Sequence, residues 1–273
     1  MKHKLIKPMA VAFVILMGFG MLGVYAQTGI SISPPRVYYV IGPGQSQTEK
    51  VVVSNPSRDY PLELAVSFED WAYDTYGDNL MYPAGTLATS CAAWLSVPEA
   101  YFSLAPGESK EIDVQMTVPV GYQNDTIPVH TAILYVTQLN PRDGVDQQGA
   151  NIRIAVRTGI KLYQRLPGSF SPNLEITNFR YQKEDVPVLI LHVDNDGDVW
   201  ADGRISLELL NQTTGGKRVL PDESFYSMPG DRRQKYVVVP KDLETGKYIA
   251  TAIVNYGEAN TVKIAELEFT HGN

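Results

Sequence analysis

The sequence predicts an all-β chain folded as two sandwiches in tandem. Three observations carry that reading. Apolar and polar residues alternate with period two along one segment after another, and no long stretch repeats with the 3.6-residue period of a helix. Turn formers punctuate those segments: the 22 glycines and 18 prolines gather in clusters such as Gly42-Pro43-Gly44 and Asn55-Pro56-Ser57. The aromatic residues lean to tyrosine, 16 against 3 tryptophans, which suits half-buried strands better than helix bundles. With 273 residues the chain has the length of about two ordinary domains.

The N-terminus reads as an export signal. Lys2, Lys4 and Lys7 precede an apolar run over residues 9–24, and Val24-Tyr25-Ala26 closes it in the small-x-small manner of a cleavage site. A membrane anchor is the other reading, but the run is short and glycine-interrupted for a spanning helix. The expectation is therefore a signal peptide over residues 1–26, cleaved after Ala26. Gln27 would then begin the mature chain, so a lipid anchor of the bacterial lipoprotein type, which needs a cysteine there, is not indicated. Removing the three lysines takes the formal charge from −7 to −10, a poor balance for nucleic-acid binding. Cys91 is the only cysteine, so no disulfide can form within the chain and the domains must be held by their cores. Flanked by Ser90 and Ala92, it reads as a small buried hydrophobe rather than a nucleophile.

The first domain, residues 27–166, opens with a strand over residues 30–40 interrupted at Pro34-Pro35. Proline pairs remove ladder donors and belong at sheet edges or at switches between sheets. Strands follow over residues 47–54 and 60–68. Residues 73–93 read as a loop or a weak edge hairpin. Further strands are expected at 94–97, 110–118 and 128–139, with Ala105-Pro106-Gly107 as a turn and 140–149 as a polar loop. The last strand, residues 151–167 (NIRIAVRTGIKLYQRLP), is long. Ile152, Ile154, Val156, Thr158, Ile160 and Leu162 fall on one side; Arg153, Arg157, Lys161 and Arg165 lie on the other, with no anionic residue among them. By pattern alone that cationic row is equally an ordinary solvent face or a binding row. About seven short strands between turns are the pattern of an immunoglobulin-like sandwich.

Residues 167–173 form a short Pro/Gly/Ser linker, too short to leave the domains freely hinged. Residues 174–273 repeat the pattern, with strands expected at 174–181, 186–194, 204–211, 218–220, 233–239, 246–255 and 262–270. The order Leu243 to Tyr248 is similar to a tyrosine corner, in which a Tyr hydroxyl ties the strand start to upstream backbone.

Other candidate sites are weaker than their structural explanations. His130, His192 and His271 lie far apart with no metal-ligand spacing. No Gly-x-Ser-x-Gly elbow, Walker loop or dinucleotide fingerprint occurs in the required context. Residues 194–198 (DNDGD) bear a superficial likeness to a calcium loop, but the glycine comes one place early and the twelfth position is Ile205, so a turn explains them better. Arg232-Arg233 beside Asp231 reads as a solvated turn. The sequence therefore supports no enzyme and no cofactor.

Residues 153–165 (RIAVRTGIKLYQR) resemble the last strand of the first domain in the periplasmic pilus-assembly chaperones, the PapD-like family. Ser33-Pro34-Pro35-Arg36-Val37, the run from Val51 to Asn55 and Tyr60-Pro61 are similar to that family's opening two strands. Residues 104–109 (LAPGES) resemble its leucine–x–proline–glycine turn. The likeness covers most of residues 30–167, while the second domain is similar in position and class only. It implies two immunoglobulin-like domains set at an angle, working in the periplasm without catalysis. Such a chaperone caps an incomplete sandwich subunit by lending its own last strand, so that main-chain bonds give affinity and alternate side chains fill pockets. By position, Ile152, Ile154 and Val156 would be the inserted donor-strand side chains, and Arg36 and Lys161 would anchor the subunit's terminal carboxylate. The implied partners are exported pilus or surface subunits and an outer-membrane usher, with no small-molecule substrate. Ideal pleating puts Lys161 opposite Ile154, so the two roles require a twist or a bulge, expected near Gly159. Residues 94–118 also resemble the domain of WxL-interacting cell-surface proteins, which makes a wall-associated binding module the alternative function and the cell surface the alternative location.

Overall fold

A computed structural model of the protein describes residues 29–123, 126–145 and 148–272. The expected signal peptide lies outside them. Twenty strands follow one another: β1 (Ser31–Ser33), β2 (Arg36–Val40), β3 (Ser46–Ser54), β4 (Leu62–Tyr73), β5 (Asn79–Tyr82), β6 (Leu95–Ser96), β7 (Tyr101–Leu104), β8 (Ser109–Thr117), β9 (Val129–Gln138), β10 (Arg142–Val145), β11 (Asn151–Ile154), β12 (Arg157–Arg165), β13 (Leu174–Gln182), β14 (Val188–Asn195), β15 (Ala201–Asn211), β16 (Lys217–Val219), β17 (Glu223–Ser227), β18 (Arg232–Val238), β19 (Gly246–Tyr256) and β20 (Thr261–His271). The only helical element among the described residues is a 3-10 turn, Ala92–Trp94. The fold is all-β, as the alternation requires.

The N-terminal sandwich packs sheet β1-β3-β8-β6 against sheet β2-β12-β9-β4-β5, with β7 paired on β4. Inward-facing residues fill the space between: Val51 and Val53 from β3, Leu62 and Leu64 from β4, Val114 and Met116 from β8, Ile160 and Leu162 from β12. Cys91 is fully buried among them. The C-terminal sandwich sets β13-β14-β18 against β16-β15-β19-β20, with β17 paired on β15, around a second core that includes Leu189, Leu207, Leu209, Ala252 and Val254. The Tyr248 hydroxyl donates to the Glu244 carbonyl at 2.8 Å, closing the expected tyrosine corner.

Pro34-Pro35 performs the expected switch. β1 pairs with β3 in one sheet and β2 pairs with β12 in the other, so the chain changes sheets at the residues that cannot donate to a ladder. Residues 73–93 contain an edge hairpin, in which β5 pairs with the extended end of β4. The loop that follows it is pinned by fully buried Asp70, whose carboxylate accepts from the Leu87 N–H at 2.9 Å and the Ser90 hydroxyl at 2.5 Å.

Two expectations are corrected. The polar segment 140–149 is not all loop: β10 lies within it and pairs antiparallel with β11. The long final strand is broken, because β11 leaves the main sheet to form this two-stranded ribbon while β12 stays on β9. The break falls at Ala155-Val156 rather than at Gly159. Gln138, the last residue of β9, holds it from both its backbone and its side chain: its N–H donates to Val156 O at 2.9 Å, and its Oε1 accepts from Val156 N at 3.3 Å. Gly159 sits in regular register opposite Tyr135, where a Cβ would come within 2.8 Å of the ring.

Candidate functional site

Parallel pairing of β2 with β12 sets Arg36 directly beside Lys161 and Tyr38 beside Tyr163. Alternate residues of both strands, Val37, Tyr39, Ile160 and Leu162, enter the N-terminal core. The pleat therefore turns Arg36, Tyr38, Lys161 and Tyr163 to the opposite face, toward the second sandwich. The two cations proposed from opposite ends of the first domain are thus brought together.

That face is aromatic. Tyr163 packs on Tyr38 at 5.1 Å, on Trp71 at 5.5 Å and on Trp200 of the second sandwich at 5.3 Å between ring centroids. Tyr38 reaches Trp200 at 4.9 Å. The Lys161 ammonium lies 3.9 Å from the ring centroids of both Trp71 and Tyr73 and donates to Asn79 Oδ1 at 2.6 Å. Aromatic faces attract a cation without neutralising it. Burial, followed by the neighbouring charges of Arg36 and Arg233, pulls the Lys161 pKa down to about 7. Arg36 stacks over the Tyr226 ring at 4.0 Å, so it too faces the second sandwich.

The tip of the β4–β5 hairpin closes one side. Asp74 Oδ1 accepts from the N–H groups of Tyr76, Gly77 and Asp78 at 2.8, 2.8 and 2.9 Å, folding the tip tightly. The Thr75 carbonyl accepts from the Gln234 N–H at 2.7 Å, and Tyr76 packs on Tyr236 at 5.6 Å. Arg233 enters from β18 over Tyr73 at 4.6 Å. Its placement corrects the reading of Arg232-Arg233 as a solvated turn. Arg232 pairs with Asp194 at 3.3 Å and Asp196 at 2.8 Å, and Arg233 is 8% exposed. The signal was present in the strand period, since Arg233 shares the inward face of Val237. Tyr73, Trp200 and Tyr226 were not singled out either, because nothing in their local pattern tells which sheet face meets the other domain.

The calcium-like loop is taken up by its own protein groups. Arg232 holds Asp194 and Asp196, Asn195 Oδ1 accepts from Gly197 N at 3.0 Å, and Asp198 accepts from the Ser171 N–H at 2.6 Å. Among the described residues no cluster of three His, Cys, Asp or Glu side chains is placed to hold a metal. His130 is buried, with its ring between the Tyr122 hydroxyl at 2.5 Å and Gln164 Oε1 at 3.1 Å.

The residues expected to form a donor strand lie farther along the same chain. In β11, Ile152 and Ile154 share one face of the ribbon and lie over Gly144 of β10, which offers no side chain to cover them. Ile154 is 49% exposed, and Ile152 and Val156 are half-buried. Among the described residues β11 is paired on one edge only. From Arg157 to Ile160, β12 pairs with β9 alone; β2 joins its other edge only from Lys161 onward. An open strand edge carrying apolar side chains therefore runs up to the cationic cleft.

No protein-family profile matches the chain, and comparison with curated proteins returned no match. Several solved structures are similar to it over most of its length. The YadV chaperone is 14% identical, with 88% of this chain and 99% of that chain covered and a TM-score of 0.46. The E. coli chaperone DraB is 20% identical, with 89% and 98% covered and a TM-score of 0.43. A chain of the Salmonella enterica SafA pilin–SafB chaperone complex is 13% identical, with 89% and 96% covered and a TM-score of 0.43. The two-sandwich architecture of this chain rests on its own strand pairing and cores.

Proposed function

We propose that this protein is a non-enzymatic assembly chaperone, exported to the periplasm, that caps incomplete sandwich subunits by lending them a strand. The observation that carries the proposal is the open edge of β11 and early β12, with apolar Ile152, Ile154 and Val156 along it and Arg36 and Lys161 side by side at its end. An unpaired strand edge is a template for another chain, and proteins ordinarily blunt such edges. Here the edge is left open, and cations stand where an extended guest would end. In this reading the subunit adds to the free edge, places its groove over the isoleucines and sets its terminal carboxylate on Arg36 and Lys161, where charge-assisted bonds are stronger than neutral ones. Pilus or surface subunits are the partners and an outer-membrane usher the acceptor.

The test is co-purification of the mature chain with candidate subunits, repeated with Arg36→Ala and Lys161→Ala. The expected result is loss of the complex in both variants with the chaperone still folded. Undiminished capture in both would remove the carboxylate anchor from the mechanism.

A further inference from the structure

Arg233 is a buried guanidinium whose donors are largely unfilled among the described residues. It is 8% exposed, and among the described residues its Nε and Nη1 have no hydrogen-bond partner. The nearest acid, Asp231, stands 3.6 Å from Nη1, beyond hydrogen-bonding reach, and is already engaged by the Met228 N–H at 2.8 Å. Asp231 therefore balances part of the charge as a long ion pair, but the buried Nε–H and Nη1–H donors stay unfilled, which is costly, and such donors are ordinarily completed by an acceptor. Arg233 is fixed in place: its guanidinium lies against Gly77, where any Cβ would collide with it, and over the ring of Tyr73.

Tyr73 is also the ring beneath Lys161. Arg36, Lys161 and Arg233 are close enough for the two arginines to depress the lysine's basicity. Three cations from β2, β12 and β18 thus converge between the sandwiches, against Asp231 and Asp202. Arg233 also lines a cavity of about 220 Å³ walled by Tyr73, Tyr76, Phe225 and Tyr226.

We propose that Arg233 is the third cation of the carboxylate site, so that the bound anion is gripped from both sandwiches at once. The inference rests on the carboxylate reading of Arg36 and Lys161 and extends it to the second domain, with a carboxylate beside apolar or aromatic surface as the ligand. The guanidinium fork supplies the directional donors that the lysine, spread over two ring faces, lacks.

The probe is N-acetylglycine, a small mimic of a peptide end, with N-acetylglycinamide as the uncharged control. The chain has three tryptophans: Trp71 and Trp200 belong to the cleft, while Trp94 packs on Tyr122 and His130 elsewhere. Indole N–H resonances therefore report the site with an internal reference. N-acetylglycine is expected to shift Trp71 and Trp200 and leave Trp94 in place, and the amide is expected to shift none. Loss of a charge-assisted bond in Arg233→Gln should weaken binding at least about tenfold, with Arg233→Lys recovering part of it. Should Arg233→Gln unfold, the Nε–H resonance of Arg233 in the wild-type chain decides: it moves on saturation or the proposal is wrong. Equal binding by wild type and Arg233→Gln, with loss in Arg36→Gln, overturns the third contact and leaves the two-cation anchor standing. No binding to wild type overturns both, while strand lending is judged separately by the β11 variants below.

Discussion

Lys161 concentrates the chemistry of the cleft in one side chain. Its folded pKa of about 7 lies below the unfolded lysine value of 10.5, so between those values the unfolded chain binds more protons than the folded one. Stability therefore rises with pH across that window, and the cost of the buried charge is fully present below about pH 7. Lys161→Met should flatten this rise, measured as the difference in denaturant midpoint between pH 6.5 and pH 9.5. A carboxylate ligand favours the charged lysine, so binding near neutral pH takes up protons. Affinity for N-acetylglycine should fall as pH rises from 6 to 9, and less so in Lys161→Arg, whose guanidinium stays charged. Equal pH profiles for wild type and Lys161→Arg would show that this lysine does not titrate in the site.

At the scale of elements, one stretch of sequence is divided between two settings, β12 in the main sheet and β11 in the ribbon. Leu162 is fully buried, and Leu162→Ala should cost about 2–5 kcal/mol, read from chemical denaturation. Ile154 is 49% exposed on the ribbon, so Ile154→Asp should change stability by less than about 0.5 kcal/mol and still abolish subunit capture. The double variant Ile152→Asp/Ile154→Asp sharpens the contrast, and full capture by it would end the strand-lending reading. The period-two pattern made the individual strands legible, because it is set by local pleating: Ile160 and Leu162 point inward as expected. It could not show that the pattern changes partners at Ala155-Val156. That break depends on Gln138, 18 residues away, and on a β10 strand hidden in a polar segment. The meeting of Arg36 with Lys161 was expected from family resemblance alone, since no spacing rule relates positions 125 residues apart. Arg233 was missed because a charged pair next to an aspartate has the composition of a surface turn.

For the whole molecule, the sandwiches touch through the β4–β5 hairpin tip and the aromatic face of β2 and β12, and these contacts are expected to fix their relative angle. Gly77 is the tightest point, with φ at +101° and the Arg233 guanidinium where a side chain would be. Gly77→Val should unseat the tip from β18, breaking the Thr75–Gln234 bond and the Tyr76–Tyr236 contact, while both cores stay intact. Small-angle scattering should then show a wider spread of interdomain distances with near-native far-ultraviolet dichroism, and an unchanged scattering profile would mean that the aromatic face alone fixes the angle. N-acetylglycine affinity in this variant should also drop, because Arg233 loses the surface that holds it.

Cys91, the lone thiol, is sealed in the N-terminal core, and burial pushes its pKa up, well away from the reactive thiolate. Folding of the chain therefore closes no internal disulfide, and reductants should leave the melting curve untouched. The same seal makes Cys91 a built-in clock: its rate of alkylation times the opening of the first sandwich and ignores the second. If the proposed chaperone role holds, timing it with and without a guest subunit would tell whether a guest is received by a closed scaffold or by one that must first breathe.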